Sequence, residues 1–265
     1  MASLSVRNGR KADGTVAAAL DGKRALVGPL DKRRPSSQPV LMGRDDWYRN
    51  KDWSAATEAP FRAKLSRSRS SRAQYLRIQA SYLTDDHPQA ALALIEEYFE
   101  TGDEFDVPMA FCTQAEAYCG LGQIDEAVAA YKRALNWEET HPRHISPART
   151  YYPKLVAENR LSSEYDYAVD ILANRFQPMD LQFPLERYHW NGSNALIASE
   201  LGHLAEAREF AERALQAAAQ TESPFRFHRN VGIVRNSSDD FGRRIKRLAR
   251  PSTLRSLFRL ISPTR

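Results

Sequence analysis

The sequence predicts an all-α fold, a solenoid of four helical hairpins that follow one another along the chain. A pattern of small and aromatic residues returns four times, with matching alanines at Ala91, Ala127, Ala168 and Ala207. The steps between these alanines are 36, 41 and 39 residues, within the range of stacked helical pairs. No alternation of apolar and polar residues persists long enough to predict a strand. Such a fold provides a binding surface and predicts no particular chemistry.

Composition divides the chain into five segments. Residues 1–44 are rich in Gly, Ser, Pro, Lys and Arg and lack aromatic residues, which predicts a disordered basic arm. Residues 45–72 combine aromatic and basic side chains and predict a cap on the first hairpin. The repeats are expected over 73–219, a C-terminal capping segment over 220–240, and a basic amphipathic tail over 241–265.

The N-terminal cap is predicted from Trp47, Trp53 and Phe61, since such aromatic content does not suit a linker. Apolar residues keep a helical period from residue 58 to residue 83. Six basic residues and no acid lie between Phe61 and Arg77, within a tract of alternating Ser and Arg. This tract has two interpretations: RNA contact or phosphorylation, or a polar helix face or loop that joins the cap to the first hairpin.

The hairpins are located by their turn and capping residues. They are predicted at residues 73–100, 107–138, 146–176 and 185–219, with internal turns at 85–88, 121–123, 161–164 and 201–203. Pro88 can open a second helix, and glycines in two of the turns can supply the positive φ that ends a first helix. Helices approach closely only where side chains are short, and aromatic rings fill the remaining space. The residues expected to do this are Ala91, Ala115, Tyr118, Gly122, Ala127, Tyr131, Ala168, Ala195, Gly202 and Ala207.

At these residues the chain resembles the tetratricopeptide repeat family. The stretch from Ala115 to Leu135 is the clearest copy, the stretch from Ala195 to Leu215 is a good one, and the copies around Ala91 and Ala168 are degenerate. All steps exceed the family period of about 34 residues, so the loops between repeats are expected to be enlarged. The segment Asp46–Arg49 is also similar to uncharacterised bacterial proteins with such repeats.

The resemblance implies a function in binding. Members usually hold a peptide or protein in a concave groove lined by the first helix of each pair. Carried onto this chain, that geometry gives the candidate groove residues Arg77, Thr113, Glu116, Lys154, Arg160, His189 and Glu200. The Lys, Asn and Arg clamp with which some members grip a chaperone's terminal carboxylate is absent, so a chaperone-tail receptor is not expected.

Signals for chemistry are weak. His141 and His144 form the one close histidine pair and lack the further ligands of a zinc motif. Cys112 and Cys119 lie seven apart in one predicted helix, roughly 10 Å along its axis, which is too far for a disulfide. They are expected to be small buried residues in a reducing, intracellular compartment. Neither a nucleophile elbow nor a phosphate-binding loop occurs, so no enzyme, cofactor or metal is predicted.

Charge is distributed unevenly and suggests the partner. Residues 1–77 carry 17 Lys and Arg against 7 Asp and Glu, residues 78–240 carry 13 against 26, and residues 241–265 carry 8 against none. An acidic middle therefore lies between two basic ends. We expect a cytoplasmic scaffold or adaptor whose acidic repeats bind a basic or amphipathic protein or peptide.

The basic tail leaves several alternatives open. Apolar residues follow helical spacing around Leu257, with arginines on another face. The candidate contact residues of the tail are Arg243, Arg244, Arg247, Leu254, Arg255, Leu257, Phe258 and Ile261. The tail could dock into a partner, lie on an anionic membrane at its inner face, contact nucleic acid, stay disordered, or fold on the protein's own acidic repeats. A peripheral membrane adaptor is the first alternative function, and an RNA-binding protein is a weaker one.

Overall fold

The computed structural model describes residues 46–175 and 181–250. Over these ranges the chain forms ten α-helices and no strand, which confirms the predicted all-α fold. The predicted arm over 1–44 and the tail from residue 251 onward lie outside the described residues, and with them the candidate contacts Leu254, Arg255, Leu257, Phe258 and Ile261.

The helices follow one another with short turns inside each pair. They are α1 (Ala55–Leu65), α2 (Arg72–Leu83), α3 (Pro88–Glu100), α4 (Val107–Gly120), α5 (Ile124–Thr140), α6 (Ala148–Asn159), α7 (Tyr165–Asp170), α8 (Pro184–Glu200), α9 (Leu204–Ala218) and α10 (Asp240–Leu248). A 3₁₀ turn at Asp46–Tyr48 precedes α1, and another at Ser162–Glu164 leads into α7. Helix α7 continues as a π-helical turn, Ile171–Arg175.

Four hairpins make up the body: α2–α3, α4–α5, α6–α7 and α8–α9. Their bounds agree with the predicted ones to within a few residues. Gly122 and Gly202 end the first helices of two hairpins with φ of 72° and 86°. In the third hairpin the non-glycine Arg160 takes the left-handed conformation, with φ of 52°.

The small residues of the repeat lie where the helices meet. Ala115 and Ala127 have no exposed surface, nor do Ala195 and Ala207. Tyr131 is 3% exposed and fills the space beside the second pair. The pattern that predicted the hairpins is therefore the pattern that packs them.

The apolar interior has two clusters that meet at α4. One extends over α1 to α4 and includes Phe61 and Tyr98; the other extends from α4 to α10 and includes Tyr152. Helix α4 contributes Ala117 to the first cluster and Ala115 to the second. Stacked hairpins thus share a continuous core, as a solenoid requires.

The stack is tighter on the side of the first helices. First helices of neighbouring hairpins contact one another at α2–α4 and at α6–α8. In the described part of the chain no comparable contact joins successive second helices. We call the exposed faces of the first helices the inner side of the stack.

The N-terminal cap differs in one respect from the prediction. Trp47 packs on Phe61 and Tyr75, with ring centroids 5.6 and 4.7 Å apart, so aromatic packing at this end is as expected. The helical period from 58 to 83, however, is not one helix, because residues 66–71 form a loop between α1 and α2. Four of those six residues are serines, whose side chains compete for backbone hydrogen bonds and disfavour helix.

Acidic partners neutralise part of the basic tract in the cap. Glu97 on α3 accepts hydrogen bonds from Arg62 at 2.5 Å and lies 3.8 Å from Arg72. Lys64 lies over the ring of Trp47, 5.7 Å from its centroid. These contacts favour the joining-loop interpretation of the tract, while RNA contact stays a prediction.

The segment between α9 and α10 covers the start of α8. The backbone N–H of Leu185 donates to the carbonyl of Gly232 at 2.7 Å, and the rings of Phe183 and Phe225 lie 5.1 Å apart. Phe225 thus packs over the last hairpin as predicted. The same prediction is wrong for Phe227, which is 86% exposed.

Candidate binding surface of the repeats

The C-terminal helix α10 lies against the last hairpins. It contacts both helices of the fourth hairpin, and its Phe241 and Ile245 are 1% and 0% exposed. The ring of Phe241 packs edge-on against Tyr188 of α8 with centroids 5.6 Å apart. At Gly192 of α8 a Cβ would lie 2.6 Å from atoms of both Phe241 and Ile245, so glycine permits this close approach.

Arg244 ties α10 to the end of α6. Its Nη1 donates to the carbonyls of Ala157 and Glu158, both at 3.0 Å, and its Nη2 lies 3.4 Å from a carboxylate oxygen of Glu200. The last carbonyls of a helix have no partner within it and carry partial negative charge. A guanidinium is therefore a suitable cap for α6, although Arg244 lies 87 residues away from Ala157 in sequence.

Helix α10 also has local features that hold it in shape. The carboxylate of Asp239 accepts a hydrogen bond from the backbone N–H of Gly242 at 2.8 Å and caps the helix. Arg243 and Arg247 are exposed on its outer face. The described half of the predicted tail is thus a packed helix that folds on the acidic repeats, one of the alternatives left open above.

Four of the seven candidate groove residues surround α10. The ammonium of Lys154 lies 5.1 Å from the ring centroid of Phe241, and His189 touches the same ring. Glu200 binds both Arg244 and Arg160, the latter at 3.2 Å. We call the area under α10 the α6–α8 surface; its members are Lys154, Ala157, Glu158, Tyr188, His189, Gly192 and Glu200.

Two other candidates do not offer their side chains to a ligand. Arg77 is 4% exposed and donates through Nε to the Asp106 carboxylate at 2.8 Å, which joins α2 to the start of α4. Thr113 is also 4% exposed, and its hydroxyl donates to the carbonyl of Met109. Both residues lie on first helices, as predicted, but neighbouring elements bury the helix faces that carry them.

The seventh candidate, Glu116, lies beside the α6–α8 surface. Glu116 and Cys119 of α4 are half-buried, as are Lys154 and Glu158 of α6. Burial, and after it the charges of Glu116 and Glu158, raises the pKa of the Cys119 thiol to about 11, while the charge of Lys154 lowers it. We call these four residues the α4–α6 face. Glu158 pairs there with Lys154 at 2.5 Å.

Comparison with known families decides the nature of the hairpins. Residues 110–141 match the family described as tetratricopeptide repeat. This segment is a tetratricopeptide repeat (TPR). It coincides with hairpin α4–α5, and the other hairpins continue a TPR-like solenoid. No curated protein and no solved structure matches the chain, so the similarity to bacterial proteins stays a prediction.

TPR hairpins form scaffolds for protein interaction, and this general role follows for the chain. The sequence signal located the hairpins and the exposed part of the first helices. It missed α10 as an element of the binding surface, because the partners of Phe241 and Arg244 lie far away in sequence. The apolar period of Phe241, Ile245 and Leu248 was the available signal.

Metal and redox sites find no support among the described residues. Over 46–175 and 181–250 there is no group of three or more His, Cys, Asp or Glu residues that could hold a metal ion. His141 stacks on Trp137 instead, with centroids 4.2 Å apart. Cys112 is buried and Cys119 half-buried, and both are free thiols. Burial raises both of their pKa values, which keeps the thiols protonated and weakly nucleophilic.

Two clefts lie elsewhere on the described part of the body. The first, of about 390 Å³, lies between α5, α6 and the π-helical turn. There Glu138 binds Arg149 at 2.6 Å, and Arg175 binds Glu139. The second, of about 670 Å³, lies between the joining loop and the end of α3. Neither cleft borders the α6–α8 surface.

The membrane alternative loses part of its basis. No helix within the described ranges has the length and apolarity to cross a bilayer. A peripheral helix would need its apolar side free for lipid. In α10 the residues Phe241 and Ile245 face α8 instead, so surface binding to a membrane stays a prediction about the undescribed part of the tail.

Because of His189, the stability of the TPR body is predicted to depend on pH. It is 6% exposed between Tyr151, Tyr188 and Phe241, and burial, reinforced by the charge of Lys154, holds its pKa well below 6.5. Below pH about 6.5 the unfolded chain takes up a proton at this residue and the folded chain does not. The free energy of unfolding should therefore decrease as the pH is lowered below about 6.5, by up to about 1.4 kcal/mol per pH unit.

This expectation is checked by urea unfolding between pH 7 and pH 5. The His189→Phe variant should show a flatter dependence than the natural chain, because its ring takes up no proton. His228 is exposed in the segment between α9 and α10, so His228→Gln should leave the slope unchanged. Equal slopes for the natural chain and His189→Phe would contradict the assignment.

Proposed function

We propose that the protein is a non-enzymatic adaptor of the cytoplasm that binds a basic protein or peptide segment on the inner side of its TPR-like solenoid. The observation that carries the proposal is α10, a basic helix of the chain itself, which packs on α8 and α9 and binds the end of α6 through Arg244. A surface that binds such a helix within the molecule has the shape and charge to bind one from another protein. The acidic middle of the chain adds long-range attraction for basic partners.

The α4–α6 face adjoins the area under α10. Glu116 and Cys119 lie outside that area, whereas Lys154 and Glu158 belong to both surfaces. The face carries the carboxylates of Glu116 and Glu158, the latter paired with the ammonium of Lys154 at 2.5 Å. A segment with lysines or arginines and short apolar contacts suits this composition. Electrostatic complementarity of this kind governs the choice of partner more than the strength of binding.

The proposal is tested by reversing charge on this face in the full chain. Glu116→Arg combined with Glu158→Arg should reduce the retention of host proteins on the tagged chain by about tenfold or more, because like charges then face a basic partner. Retained proteins are quantified by mass spectrometry, and folding is checked by circular dichroism.

A matched control makes the same change of net charge elsewhere. Glu209→Arg combined with Glu212→Arg alters two exposed carboxylates of α9, which are 68% and 48% exposed. Retention should survive in this variant. If the control loses partners as completely as the α4–α6 variant, or if neither loses them, the inner side is not the binding site.

A further inference from the structure

Helix α10 covers polar groups without satisfying all of them. Tyr188 is 2% exposed, and its hydroxyl has no hydrogen-bond partner among the described residues. It lies under α10, where a Cβ on Gly242 would come within 2.9 Å of it. His189 is 6% exposed beside it, with ring centroids 5.9 Å apart. A buried polar group without a partner costs free energy, so a helix that hydrogen-bonds the Tyr188 hydroxyl would gain over α10 at this position.

The contacts of α10 form a compact recognition pattern. Phe241 fills the space between Tyr188, His189 and Lys154, and Ile245, four residues later, packs over Gly192. Between them Arg244 binds the end of α6 and Glu200. One helical face thus carries an aromatic anchor, a guanidinium and an aliphatic anchor at positions i, i+3 and i+4.

We propose that the α6–α8 surface is a binding site for a basic amphipathic helix of a partner protein, and that α10 is its displaceable internal occupant. This inference rests on the proposed function and specifies one subsite of it. The partner helix carries the same pattern: an aromatic residue, an arginine three positions later and an aliphatic residue four positions later.

The connection between α9 and α10 permits the exchange. Residues 219–239 contain no helix, and this length lets α10 leave while staying tethered. A tethered occupant competes at an effective concentration in the millimolar range. The receiving helices do not depend on α10 for their pairing, because α6 and α8 contact each other and α8 pairs with α9. The site is therefore masked in the resting chain and still formed when α10 departs.

The experiment uses full-length chains and a fluorescein-labelled peptide that copies residues 239–250. In the Phe241→Ala, Arg244→Ala double variant the internal helix loses its aromatic anchor and its guanidinium. We expect this variant to bind the peptide on the order of tenfold more tightly than the natural chain does, because the tethered competitor has been weakened. Fluorescence anisotropy measures the affinity.

Two controls separate the occupant from the site. Gly192→Leu places a side chain where Phe241 and Ile245 pack, so α10 is released but the peptide should not bind. Arg243→Ala changes an exposed arginine that pairs with Asp240 of its own helix and donates to the carbonyl of Ser238, so the site should stay masked as in the natural chain. Faster tryptic cleavage within α10 verifies that the helix is released in the Phe241→Ala, Arg244→Ala double variant and in Gly192→Leu.

The outcomes decide the inference. Tight peptide binding by the double variant, lost in Gly192→Leu, supports it. No gain in binding by a folded double variant overturns it, and so does unfolding of that variant by circular dichroism, since a displaceable occupant leaves a folded receptor. The peptide assay measures binding to the α6–α8 surface of purified chains, whereas the retention of host proteins also depends on Glu116, which lies outside that surface, so the two proposals can fail separately.

Discussion

Replacing Asp106 with alanine is expected to lower the free energy of unfolding by about 3–5 kcal/mol. Arg77 is 4% exposed, and the Asp106 carboxylate receives its Nε–H at 2.8 Å. The Nη1 of Arg77 is buried with no hydrogen-bond partner among the described residues. Without the carboxylate, the guanidinium stays buried between α2 and α4 with no opposite charge beside it. An uncompensated buried charge lowers the stability of the folded chain strongly.

Urea unfolding of the single and double variants tests this prediction. Adding Arg77→Met to Asp106→Ala should recover most of the lost stability, because the second change removes the stranded charge and leaves an apolar chain of similar length. Arg208→Ala, which breaks an exposed pair with Glu212, should change stability by less than about 1 kcal/mol. If Asp106→Ala lowered the free energy of unfolding by no more than Arg208→Ala does, the Arg77–Asp106 pair would not join the two hairpins.

Tyr152→Ala is expected to cost about 3–5 kcal/mol, the usual range for a buried aromatic residue. The ring of Tyr152 has no exposed surface and packs edge-on against Tyr167 at 5.5 Å. Its hydroxyl donates to Glu164 at 2.6 Å, which joins α6 to the turn before α7. The loss combines the removed apolar contacts with the cavity that they leave.

Tyr152→Phe separates the ring from the hydroxyl. It should cost only about 1–2 kcal/mol, because Glu164 keeps its ion pair with Lys132 at 2.5 Å. Thermal or urea unfolding of both variants gives the comparison. If the phenylalanine variant were as unstable as the alanine variant, the hydrogen bond rather than packing would hold the third hairpin together.

The hairpins could be predicted because their determinants are local. The short side chains of Ala115 and Ala127 and the positive φ available to Gly122 are encoded within one hairpin, and the structure places all three where the pattern predicts them. The degenerate third copy was still found, since Ala168 kept its spacing although Arg160, not glycine, ends the first helix. Periodicity and turn residues therefore suffice for the order and bounds of the helices.

The candidate site was harder to predict because its contacts are not local. Helical position placed Arg77, Thr113 and His189 on first helices, but the faces of neighbouring elements decide exposure, and these three are buried. The apolar spacing of Phe241 and Ile245 indicated a helix without indicating what covers it. Only the folded chain brings Arg244 to the carbonyl of Ala157.

Because α4 supplies residues to both apolar clusters, no boundary in the body separates two self-sufficient halves. Gain or loss of a whole hairpin at that point would leave an unmatched apolar face on each side. Changes in chain length are better tolerated in the connections between hairpins, which run over the outside. The steps of 36, 41 and 39 residues between the matching alanines show that the spacing of the hairpins already differs within this one chain.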